Sequence, residues 1–222
     1  MSARPIAARL ASALRLAAVA AAGLGLTGCI SLFPKSNPAQ LYRFGTEVAA
    51  PAGAPQTAAR IGLHVYTTFD RASEGDRILT ATGNETAYIA GSRWVSPASV
   101  LFDEAMQRAF EGQGSPFRLL RPGDMAPDTL KLMLVVESFE ADYGEGGKGA
   151  PTVVVRIRAA IDRARSPTAA PAPIQVFEAR VPASDNRVGA IVQAYDAATS
   201  QALSQLLTWS AAQAPQISSS GS

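Results

Sequence analysis

Few side chains in this 222-residue chain could do chemistry, because it holds one cysteine, Cys29, and one histidine, His64. Zinc takes about four ligands, largely Cys and His, so the count argues against a His/Cys metal centre. A single thiol cannot close an intramolecular disulfide. Cys29 nevertheless sits in a setting that suits a nucleophile. It ends the run Leu26-Thr27-Gly28-Cys29; a thiol can accept a diacylglyceryl group, and small neighbours let a processing enzyme close on the backbone. His64 falls on the outward side of an alternating stretch and reads as a surface or strand-pairing residue. Neither Gly-x-Ser-x-Gly nor His-Glu-x-x-His occurs. A hydrolase would need a buried cluster of serine, His64 and an acid. The carboxylate pairs Asp103/Glu104 and Glu137/Glu140 read as solvated charge. The Gly144–Gly149 loop lacks the Lys-Ser/Thr pair and following helix of a phosphate-binding loop.

The elements around Cys29 support its chemistry. Arg4, Arg9 and Arg15 are the only charges before position 35, and eleven uncharged, mostly apolar residues follow, Leu16 to Leu26. A positive segment followed by an apolar one of this length describes an export signal, and it is short of the roughly 20 residues a membrane-spanning helix needs. Leu26-Thr27-Gly28-Cys29 resembles the lipobox of bacterial lipoproteins. That resemblance implies a signal peptide over 1–28, cleavage after Gly28, and diacylglyceryl and N-acyl groups on Cys29. No other cofactor is called for. Two or more acyl chains give stable anchoring where one is marginal. Ile30 rather than Asp follows the cysteine, which by analogy with enterobacterial lipoproteins directs the protein to the periplasmic leaflet of the outer membrane.

Charge is reinterpreted once the leader is removed. The whole chain carries +2, with a pI near 8.9 and mean hydropathy +0.08. Residues 29–222 hold 17 Lys+Arg against 18 Asp+Glu, a charge of −1, so nucleic-acid binding loses its only global support. Gly23-x-Gly25-x-x-Gly28 lies inside the leader with no strand before it, and Asn84-Glu85-Thr86 carries little meaning in a bacterial lipoprotein. Both are coincidental pattern matches.

After a tether over 29–40, the pattern predicts an α+β domain over 41–212. Leu41–Phe44 alternates as a first strand, 46–59 is an Ala/Pro linker, and Arg60–Tyr66 alternates with Ile61, Leu63 and Val65 on one face. Ile78–Thr82 and Thr86–Ala90 flank a Gly83-Asn84 turn as a hairpin. Ser96 as N-cap and Pro97 at the first turn start a helix that Gly112 and Gly114 end. Phe117–Leu120 is a short strand. Leu130–Phe139 reads as a central strand, with Glu137 sharing a face with Lys131, Met133 and Phe139. Thr152–Asp162 has Val153, Val155, Ile157, Ala159 and Ile161 inward, and Ile174–Val181 is the last strand. A helix over 187–211 carries the stripe Val188, Ile191, Val192, Tyr195, Ala198, Ala202, Leu206 and Trp209, and 213–222 reads as a disordered tail. The order predicts a two-layer sandwich of antiparallel or mixed sheet with two main helices.

Two segments are more specified than surface loops require. Tyr88, Arg93 and Trp94 are residue types favoured at interface hot spots, although Trp94 could equally plug the junction between hairpin and helix. Asp185, Asn186 and Arg187 open the last helix, where Arg187 can pair with Asp185. With the lipobox and Tyr42-Arg-Phe, the motifs Asp76-Arg-Ile-Leu, Ala87–Pro97, Val100-Leu-Phe102, Asp185–Val192 and Tyr195-Asp-Ala-Ala resemble the ABC-type transport auxiliary lipoprotein family. The similarity spans roughly residues 40–210. It implies a non-enzymatic lipoprotein beside an MCE subunit and an ABC permease and ATPase, moving phospholipid or other apolar cargo across the envelope, and it is compatible with a homo-oligomer. The lipidated cysteine is the one functional residue it carries over. Rival readings are a module that shelters a lipid between sheet and last helix, lined from Val153, Val155 and Ile157, and an outer-membrane assembly lipoprotein.

Overall fold

A computed structural model describes residues 38–45, 60–112, 115–121, 123–124, 129–163 and 173–219, with side chains as far as 213. Cys29, Leu26, Gly28, the leader and the 46–59 linker lie outside these residues. Eight strands and two helices follow in the order β1 (Gln40–Tyr42), β2 (Ile61–Phe69), β3 (Arg77–Thr82), β4 (Glu85–Trp94), α1 (Ala98–Glu111), β5 (Phe117–Leu119), β6 (Leu130–Asp142), β7 (Thr152–Arg163), β8 (Ile174–Pro182) and α2 (Val188–Ser219). This is the expected α+β architecture, with a mixed sheet.

β6 is the axis of the sheet. Along one edge it pairs antiparallel with β7, which pairs antiparallel with β8. Along the other edge it meets two parallel partners in turn, β2 against Leu130–Val136 and then β3 at Ala141 and Asp142. The sheet therefore forks, one arm ending in β5 and the other running through β4 to β1. β6 thus has hydrogen-bonded neighbours along both edges, the position expected of a central strand.

A register shift between Val136 and Ser138 changes the phase of β6. Leu130, Leu132, Leu134 and Val136 are buried before it, Phe139 and Ala141 after it. An extra residue in one strand of a pair moves every later side chain to the other face. Glu137 and Phe139 therefore do not share a face, contrary to the simple alternation.

Both helices cover one face. α1 sends Phe102 onto Phe69, and α2 sends Trp209 onto Phe177, with ring centroids 5.7 and 5.6 Å apart. Phe69, Val136, Ile157 and Phe177 are successive register partners across four strands, so these contacts lie on the same side. Tyr195 of α2 is fully buried and donates its hydroxyl to the Leu79 carbonyl at 2.9 Å. Burial pushes its phenol well above the usual range.

The helix ends differ from expectation. Pro97 rather than Ser96 is the N-cap of α1, and no side chain caps it. The free amides of Ala98 and Ser99 instead donate to the Gly75 and Glu74 carbonyls at 2.9 and 3.2 Å, satisfying donors every helix start leaves open. α2 continues past 211 to Ser219, through part of the segment expected to be a tail. Pro215 removes one helix hydrogen bond without ending the helix.

The chain after β1 is clamped to both helices at Gly45. Its amide donates to Asp196 Oδ1 of α2, and its carbonyl accepts from Arg108 Nε and Nη2 of α1 at 3.1 and 2.7 Å. Gly45 has φ +72°, and a Cβ there would meet the Ala105 Cβ at 2.5 Å. Gly45→Ala is expected to cost about 2–4 kcal/mol, combining left-handed strain with overpacking, read as a lowered denaturation midpoint.

Candidate interaction surface

Sheet residues whose neighbours point inward must themselves point to the opposite face, and no helix covers that face among the described residues. On β2, Leu63 and Phe69 are buried, which turns Tyr66 outward; on β6, Leu132 and Leu134 do the same for Met133. Tyr66 pairs in register with Met133, Met133 with Ala160, and Ala160 with Ile174. The four form one row across four strands, and Tyr66, Met133 and Ile174 are 55%, 46% and 64% exposed. The next row is Thr68, Val135, Arg158 and Val176. Of the seven large hydrophobics exposed among the described residues, four lie on this face, which separates it from the scattered apolar residues any surface carries.

A charged ladder borders the apolar rows. Glu137 accepts from Arg156 and from Arg158, both at 3.2 Å. Arg156 also reaches Glu178 at 2.8 Å, and Arg180 reaches Asp142 at 3.2 Å. Glu178 and then Glu137 hold the Arg156 guanidinium above its ordinary range. These side chains pair mainly with one another, so a partner meets a rim of satisfied charge around an uncharged centre, as interfaces commonly present. His64 lies on the same face, beside Lys131 in register, its ring 6.5 Å from that of Tyr66. It stands half exposed, not in the buried catalytic cluster a hydrolase would need. Among the described residues no three His, Cys, Asp or Glu side chains are placed to hold a metal ion.

The hairpin residues singled out from sequence occupy other positions. Trp94 is 2% exposed, edge-on to Phe44 and Tyr195 at 4.9 and 5.1 Å. It is a core plug, and the expectation that it contacts a partner is corrected. A register shift in the β3–β4 pairing and the left-handed Gly91 bring it inward. Arg93 binds both Asp76 oxygens at 3.0 and 2.8 Å. Tyr88 donates to the Ala72 carbonyl at 2.9 Å, under the Arg77 guanidinium at 3.7 Å. At the start of α2, Arg187 pairs with Asp185 at 2.7 Å as expected, and Asn186 accepts from the Tyr143 hydroxyl at 2.7 Å. The surface residues of both groups are thus engaged within the chain.

The site that alternation alone does not reveal is the apolar row. Each strand shows its outward residue, but only the pairing register aligns Tyr66, Met133 and Ile174. Val153, Val155 and Ile157, expected to line a lipid pocket, are fully buried on the helix-bearing face.

Comparison with known proteins identifies the chain. The family model for ABC-type transport auxiliary lipoprotein components matches residues 46–206. No curated protein matches significantly. Among solved structures, protein XCC0632 from Xanthomonas campestris superposes with a TM-score of 0.69 at 24% identity, covering 81% of this chain and 99% of that one. An uncharacterized protein superposes with a TM-score of 0.58 at 11% identity, covering 78% and 98%. These two likenesses show the fold, and the family match, which spans most of the sequence, shows that the chain belongs to the ABC-type transport auxiliary lipoprotein family.

Proposed function

We propose that the protein is a non-enzymatic subunit of an MCE-type ABC transporter, anchored through Cys29 to the periplasmic leaflet of the outer membrane. The transporter moves phospholipid or another apolar molecule across the envelope, and this subunit docks its periplasmic part. The acyl groups on Cys29 hold the domain at the bilayer, and the bare sheet face grips the partner. The observation that carries this reading is the exposed row Tyr66–Met133–Ala160–Ile174 in a member of a transport-auxiliary family. A row of this kind offers apolar area without a cleft for catalysis, which suits binding a broad protein surface.

Affinity capture with the full-length lipoprotein from detergent-solubilised envelopes tests it. An MCE subunit and the permease are expected in the eluate; their consistent absence would refute the docking role. Cys29→Ala is expected to move the protein from the membrane pellet to the soluble fraction or into an unprocessed precursor that carries no acyl chains. Mass spectrometry of the N-terminus distinguishes the two, and an acylated product from the variant would remove the anchor from the argument.

A further inference from the structure

Among the described residues β8 pairs with β7 alone, so its other side is an open edge of the sheet. Alternation decides which backbone groups face that edge, because successive residues of an antiparallel pair turn their N–H and C=O to opposite sides. The Ala183 amide donates to the Pro151 carbonyl at 2.8 Å, and the register with β7 runs without a shift from Pro182 back to Ile174. The odd-numbered residues of β8 therefore bond toward β7. Ile174, Val176, Glu178 and Arg180 present their backbone groups at the edge. Gln175 Nε2, donating to the Val176 carbonyl at 3.2 Å, agrees with that phase. Pro182 belongs to the same outward set, where its missing N–H breaks no bond to β7.

An open edge of nine residues is a template for a further strand, and three features of this one match a second copy of itself. A charge on an edge strand ordinarily repels a newcomer, but here the signs are self-complementary. Glu178 and Arg180 are two residues apart on the bare face. When two β8 strands lie antiparallel about a two-fold axis at Ala179, each Glu178 stands opposite the partner's Arg180, a stabilising cross-strand pair. An axis at Glu178 would instead set that carboxylate against its own copy. The Ala179 register also brings Val181 opposite the partner's Phe177 on the helix-bearing face. There a recess of about 520 Å³ lies between the β8 edge and α2, with Val176, Phe177 and the half-buried Trp209 in its wall. An apolar side chain suits it. The flank of α2 along that recess, Ser204, Thr208 and Ala212, is small and uncharged. A two-fold axis normal to the sheet keeps both α2 helices on one side, and small flanks let their axes approach to about 8–10 Å.

We propose that β8 is the site at which two copies of this protein join, pairing antiparallel about Ala179 into one continuous sheet. The contact is isologous, each copy offering the same patch. It does not rest on the docking role assigned to Tyr66 and Met133, which lie on β2 and β6.

Sedimentation velocity of the full-length lipoprotein tests the proposal, in non-ionic detergent with micelles in molar excess so that two anchors do not share one by chance. The wild-type chain is expected to sediment as a dimer that dissociates on dilution. Glu178→Arg and Arg180→Glu each set like charges opposite one another at two places, and each alone is expected to weaken the dimer at least about tenfold. Mixing the two variants restores opposite charges at both places, and dimers holding one of each are expected to return. Glu178 and Arg180 also hold Arg156 and Asp142 within each chain; that disturbance persists in the mixture, so recovery reports the contact between chains. A monomeric wild type, single variants that dimerise as tightly as the wild type, or a mixture that stays monomeric would each overturn the proposal. Should either variant fail to fold, Val176→Pro removes an edge N–H without touching a bond to β7 and is expected to abolish the dimer. An undiminished dimer in that variant rejects the site.

Discussion

Replacing Tyr66 and Met133 together by aspartate is expected to weaken capture of the transporter subunits by at least about a hundredfold, at 1.4 kcal/mol per tenfold. The two side chains are direct register partners and form one end of the exposed row. The few hot-spot residues of an interface, among which tyrosine is favoured, each contribute about 2 kcal/mol or more. Putting an unpaired carboxylate against a desolvated partner surface adds a further penalty. The fold should tolerate both changes, because the residues are 55% and 46% exposed; the loss of stability is expected to stay below about 1 kcal/mol per site. Val100→Asp is the control. Val100 is comparably exposed, at 44%, but belongs to the first turn of α1, and it should leave capture unchanged. Affinity capture of the variants at matched expression, with circular dichroism to confirm folding, makes the measurement. Full capture by the double variant would move the docking surface elsewhere.

Phe139→Ala is expected to destabilise the domain by about 3–5 kcal/mol, the usual range for deleting a buried aromatic side chain. Phe139 is 1% exposed, and its ring joins parts of the chain far apart in sequence. Its centroid lies 4.9 Å from Phe44, 5.4 Å from Phe69, 6.4 Å from Trp94 and 4.9 Å from Tyr195. Removing it leaves a cavity at the junction of β1, β2, β4, β6 and α2. For a domain of this size the melting temperature should fall by at least about 6 °C, measured by differential scanning calorimetry. A loss under about 1 kcal/mol would mean that the cluster closes over the gap.

The elements of this fold were largely legible because each carries its own period. β7 reads correctly residue by residue, Val153 to Ile161 inward and Arg156 and Arg158 outward. The stripe on α2 and the Asp185–Arg187 pair are equally local. What escaped depends on distant parts of the chain. The shift at Glu137 leaves no mark in composition, yet it decides that Phe139 enters the core. The cap of α1 is two carbonyls from the 74–75 turn, invisible to a search for capping side chains. Trp94 has the residue type of an interface anchor, and only the irregular pairing of β3 with β4 turns it inward. The apolar row required the register of four strands at once. Asp103, one of two adjacent acids, reads as solvated from sequence, yet burial beside Thr67 raises its carboxyl above the ordinary aspartate range.

The Gly45 clamp also determines how the domain bears load. Any pull from an anchor at Cys29 reaches the body at Gln40, the start of a strand only three residues long. Three residues of pairing with β4 are a weak fastening by themselves. Immediately beyond them, Phe44 is fully buried and the Gly45 backbone is tied to Arg108 and Asp196. Once β1 has peeled away, tension must draw an aromatic ring out of the core and break bonds to two helices before it can advance further. Beyond β1, force entering from the N-terminal side would thereby be shared between α1 and α2.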